Sequence, residues 1–142
     1  MKKSLRILSL VLALLMLTCI FAACNEQATG LWENATYKSD KTLGKGANTL
    51  SITVEMEEKS IVLTVKTDAA TVKDALAEHD LIDGEQQAIG YLMTTLNGVR
   101  ADYNLDGAYW GFYQNGEYMM TGIDSTPITG DASYEFVYTP AS

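Results

Sequence analysis

The chain has 142 residues, 10 Lys and Arg against 18 Asp and Glu, one His and two Cys, for a formal charge of −8. That length supports one domain. The shortage of clustered cations excludes nucleic acid as a partner, because binding phosphates depends on grouped Lys and Arg.

Residues 1–23 have the three-part build of an export signal: Lys2, Lys3 and Arg6 first, an apolar stretch from Ile7 to Phe21, and a small-residue exit. The apolar stretch is shorter than the about 20 residues a transmembrane span needs. Phe21-Ala22-Ala23-Cys24 resembles the lipobox of bacterial lipoproteins, with Phe21 where Leu or Val is usual. The resemblance implies cleavage before Cys24, lipidation of that cysteine, and an extracytoplasmic domain held to a bacterial membrane by its anchor. Cleavage also removes Cys19 and three cations, leaving 119 residues, no disulfide and a balance of −11. An ordinary cleaved signal, with Cys24 an incidental thiol, is the alternative.

Residues 24–46 are polar and small and read as a lipidated tether, followed by a domain over residues 47–140. Leu50, Ile52, Val54 and Met56 alternate along one strand face, and Ile61, Leu63 and Val65 resume the series after a Glu57-Glu58 turn, as in a hairpin with one buried side. Thr71 is placed to cap a short helix running to about Gly84, with Val72, Ala75 and Leu76 on one stripe. Strands are expected over Gly90–Leu96, Tyr109–Tyr113 and Tyr134–Tyr138, with tight reversals at Asn97-Gly98 and Asn115-Gly116. Two strands, one helix and further strands predict an α+β fold, a β-grasp-like mixed sheet packed on one short helix.

Gly90-Tyr91, Leu96-Asn97-Gly98-Val99-Arg100-Ala101, Tyr109-Trp110-Gly111-Phe112-Tyr113, Asn115-Gly116, Gly122 and Gly130-Asp131, in that order, resemble the C-terminal β-domain of the transcobalamin and intrinsic factor family. The resemblance implies cobalamin or another corrinoid as ligand, with no cofactor required. In the animal carriers a helical domain covers the ligand's other face. This chain has none, so weak binding or a completing partner is expected.

The site residues expected for that ligand are Tyr91, Tyr109, Trp110, Tyr113 and Tyr118, aromatic groups suited to a flat amphipathic molecule. Strand alternation sets Trp110 and Phe112 opposite Tyr109, Gly111 and Tyr113, so one set belongs to the core, and Trp110 with Phe112 is the better fit to it. Gly111 would leave bare backbone that a ligand could approach closely. Asp102, Asn104 and Asp106, followed by Gly107, match the first half of a calcium loop but lack its closing Glu, since Tyr113 stands at the twelfth position; an ordinary strand connection uses the same residues, and no metal is expected. His79 reads as an exposed residue at the helix end. No nucleophile elbow or Ser-His-Asp order offers itself, so the expected role is binding and not catalysis. The alternative function is a protein–protein interaction module that docks a larger cell-surface or transporter component.

Overall fold

A computed structural model describes residues 30–142; the signal segment and Cys24 lie outside the described residues. Strands β1 (Lys41–Gly44), β2 (Asn48–Met56), β3 (Lys59–Thr67), β7 (Ala108–Gln114), β8 (Glu117–Tyr118) and β9 (Ala132–Pro140) form one sheet, ordered β1-β3-β2-β9-β7-β8. A second sheet contains β4 (Ile82–Gln87), β5 (Gly90–Leu96) and β6 (Val99–Arg100), in that order. The final strand enters the middle of the large sheet, parallel to β2 and antiparallel to β7.

The period of two in β2 and β3 is what buries one face. Leu50, Ile52, Val54 and Met56 have no exposed surface, and the intervening Ser51, Thr53 and Glu55 remain partly open on the other side. Register carries that face across the sheet. Val54 is level with Phe136, and Phe136 with Phe112, their rings stacked at 5.0 Å. Trp110, level with Tyr138, meets its ring edge-on at 5.6 Å and donates its indole N–H to the Val99 carbonyl at 3.2 Å.

The one α-helix among the described residues, α1 (Val72–Ala77), starts where the Thr71 hydroxyl accepts the Asp74 N–H at 3.2 Å and buries Val72, Ala75 and Leu76. It stops well short of Gly84, because a turn at Glu78–Asp80, with Asp80 at φ 52°, leads directly into β4. Six residues rise only about 9 Å, which cannot cover a six-stranded sheet.

The second sheet takes up much of that role, bringing Leu96 and Val99, with Ala101 just past β6, into the same core as α1 and the large sheet. The expected α+β, β-grasp-like arrangement is therefore corrected to a mostly β fold of two sheets with one short helix. Alternation marks a strand without saying which sheet it joins, so the expected Gly90–Leu96 strand carries no sign of its separate sheet, and β4 and β6 are strands the sequence reading does not contain.

Residues 30–46, read as the end of the tether, are built into the domain. A 3₁₀ turn at Gly30–Asn34 buries Trp32, whose indole N–H donates to the Met56 carbonyl at 3.1 Å while the Lys59 ammonium lies 4.9 Å from its ring centre. β1 then pairs in parallel with β3. His79, expected to be exposed, is half-buried with its Nε2 against Gly44 and without a hydrogen-bond partner. Gly44, at φ 73°, has room for no side chain there.

Candidate functional site

The outer face of the large sheet carries the tyrosines. β7 points Trp110 and Phe112 inward, each 8 % exposed, and so turns Tyr109 and Tyr113 outward. Tyr109 is 38 % exposed and Tyr118, on β8, is 54 % exposed. Tyr113 and Tyr118 are register partners across the Asn115-Gly116 turn, and their rings meet edge-on at 5.4 Å. That turn has φ of 53° and 80° at its two central residues, the conformation that Asn-Gly favours in a two-residue hairpin.

Gly111 does not leave open backbone. The Tyr113 ring leans back along the strand over it, so that a Cβ at position 111 would lie 3.1 Å from Tyr113 Cε2 and 3.3 Å from the Thr139 hydroxyl. The glycine thus seats an aromatic ring on the sheet surface. Across the register Tyr109 faces Thr139, Gly111 faces Val137 and Tyr113 faces Glu135, which gives the surface a hydroxyl, an aliphatic group and a carboxylate beside the rings. Such a face offers π-surface for stacking and polar groups for orientation.

Of the five aromatic residues expected at one site, three share this face. Trp110 lies on the opposite side, in the core. Tyr91 stands on β5 in the other sheet, half-buried, with its N–H donating to Asp124 Oδ2 at 3.0 Å and the Lys73 ammonium 4.6 Å from its ring centre. Burial, and then the Asp83 carboxylate, push its phenol above the ordinary tyrosine range.

The Asp102–Gly107 segment spends its carboxylates internally. Asp102 Oδ1 accepts the N–H groups of Asn104 and Leu105 at 2.8 and 2.9 Å. Asp106 receives a two-point pair from Arg100, at 2.8 and 2.9 Å, and the Asp102 N–H at 2.9 Å. The Arg100 guanidinium, and next the Asp102 N–H, hold the Asp106 carboxyl down at about 2. Among the described residues no group of three His, Cys, Asp or Glu side chains is arranged to hold a metal ion, and no helix is long and apolar enough to cross a membrane.

Residues 69–136 match the family described as a domain of unknown function (DUF4430). Among solved structures, a candidate metal-binding protein from Ruminococcus gnavus ATCC 29149 is similar over 67 % of this chain and 99 % of its own, with 25 % identity and a TM-score of 0.62. Haptocorrin in complex with Cbi is similar over 70 % of this chain, with 17 % identity and a TM-score of 0.50. The match takes up 27 % of the haptocorrin chain, and that likeness is one of fold. No curated protein matches. The fold is consistent with the transcobalamin-like β-domain that the aromatic and glycine motifs resemble.

Proposed function

We propose that the protein binds a flat, amphipathic small molecule, with a corrinoid as the leading case, on the outer face formed by Tyr109, Tyr113 and Tyr118. One observation carries the reading: three tyrosine side chains lie on the solvent side of adjacent strands, while the aromatic residues between them on β7 fill the core. Tyr118, 54 % exposed beside Tyr113, leaves this face open to a ligand. The shared fold with haptocorrin supports the choice of ligand class.

One open face buries about half of such a ligand, so the affinity expected of this domain alone is far weaker than nanomolar, unless a second protein closes the site. The role is binding without catalysis. Cleavage before Cys24 and lipidation of that residue would place the domain outside a bacterial membrane; loss of the protein from the membrane fraction on Cys24→Ala tests this. Equilibrium dialysis against cobalamin and cobinamide tests the ligand. Saturable uptake is expected, and no uptake at about 100 μM overturns the corrinoid assignment.

A further inference from the structure

A second site lies in the other sheet, beside Tyr91 and apart from the tyrosine face. A cleft of about 120 Å³ is lined there by Ile89, Gly90, Tyr91, Leu92, Gly122 and Asp124, with room for a group of a few heavy atoms. Gln87 also lines it, and the apolar side chains at its mouth are Ile89, 96 % exposed, and Leu92, 48 % exposed. Asp124 supplies the charge. Oδ2 accepts the Tyr91 N–H, whereas Oδ1 is shielded from solvent and has no hydrogen-bond partner. A carboxylate with one oxygen left unpaired is under-satisfied, so a cation brought beside it gains more than it would in open water.

The charges around Tyr91 define which donor fits. Asp124 bonds to its amide and Asp83 acts on its phenol, while the Lys73 ammonium lies over its ring, leaving one excess negative charge in the set. The chain's overall balance of −8 also draws cations and repels anions. Gly90, at φ 134°, brings its backbone beside the Asp124 carboxylate without a side chain between them.

We propose that the Gly90–Leu92 cleft binds a primary ammonium group on a short apolar chain, with the ammonium beside the Asp124 carboxylate and the chain lying against Leu92 and Ile89. A free alkylamine and a lysyl side chain share this chemistry. n-Butylammonium and Nα-acetyl-lysine amide are therefore titrated side by side, with butyrate as control, and backbone amide shifts are read by NMR. Saturable shifts at Gly90, Tyr91 and Gly122 with either cation are expected, and the tighter of the two identifies the source.

Asp124→Asn keeps an acceptor for the Tyr91 N–H and is expected to weaken binding at least tenfold. Ile89→Ala, at the exposed mouth, guards against a folding artefact and is expected to weaken it a few-fold. Absence of saturable shifts, or equal binding of butyrate, overturns the proposal. The corrinoid reading concerns different residues, so either can fail while the other stands.

Discussion

The side-chain amide of Asn97 pairs with the backbone of Tyr37 as a neighbouring strand would. Its Oδ1 accepts the Tyr37 N–H at 2.9 Å and its Nδ2 donates to the Tyr37 carbonyl at 2.8 Å. The Asn97 carbonyl accepts the Thr36 N–H at 2.8 Å as well, and the residue is fully buried. A single turn residue thus fastens the segment before β1 to the second sheet.

Asn97→Ala removes both side-chain bonds and places a Cβ-bearing residue other than Asn at φ 52°, so a loss of about 2–4 kcal/mol is expected. Thermal unfolding should show a Tm lower by roughly 10 °C. Asn97→Gly, which relieves the backbone but not the lost bonds, should recover only part of the fall. A Tm unchanged in both variants would refute the fastening.

Trp32 tests whether residues 30–46 belong to the folded unit. At 3 % exposure, Trp32→Ala should cost about 3–5 kcal/mol, and Trp32→Phe, which loses the bond to Met56 but keeps much of the packing, about 1–2. Denaturant unfolding of the two variants measures the difference. A tether residue would show neither effect.

The pair of Arg100 and Asp106 predicts an acid-side change in the 102–107 loop. The Asp106 carboxyl is lowered from 3.8 to about 2. Its contribution is therefore present above pH 3.8 and is lost as pH falls through about 2. The pair is exposed, so global stability should hardly change. In an NMR titration Arg100→Ala should return the Asp106 midpoint toward 3.8; a midpoint still near 2 would contradict the pairing.

The tyrosine face should be separable from stability. Tyr109→Ala and Tyr118→Ala remove exposed rings and should shift Tm by only a few degrees, while a double variant of Tyr109 and Tyr113 should lower ligand affinity about tenfold or more. Phe112→Ala, on the same strand but facing inward, should cost about 3–5 kcal/mol instead. Isothermal titration beside thermal melts reads both quantities. Equal stability losses on the two faces would remove the distinction.

Much of this organisation was readable in the chain. Alternation gave the β2 and β3 hairpin and its buried face, Asn-Gly marked both tight turns, and Thr71 marked the helix start. Two kinds of information were missing. Strand periodicity does not name the partner strand, so the insertion of β9 between β2 and β7 and the split into two sheets could not be read. Long-range hydrogen bonds leave no local pattern either, and the ties from Trp32 to Met56 and from Tyr37 to Asn97 made a polar segment look like a tether. At the site, alternation separated Tyr109 and Tyr113 from Trp110, but Tyr91, 18 residues before Tyr109 in the chain, stands in the other sheet. Asp124 carried no signal, since an Asp among Gly, Ser, Thr and Pro reads as turn chemistry.

A ligand lying on the outer tyrosine face would be seen in the tyrosine ring resonances during titration with cobinamide. The rings of Tyr109, Tyr113 and Tyr118 should shift together and saturate, while that of Tyr134, 2 % exposed in the core, stays fixed. Binding that leaves Tyr109 and Tyr113 unmoved, or that shifts Tyr91 alone, would contradict the account.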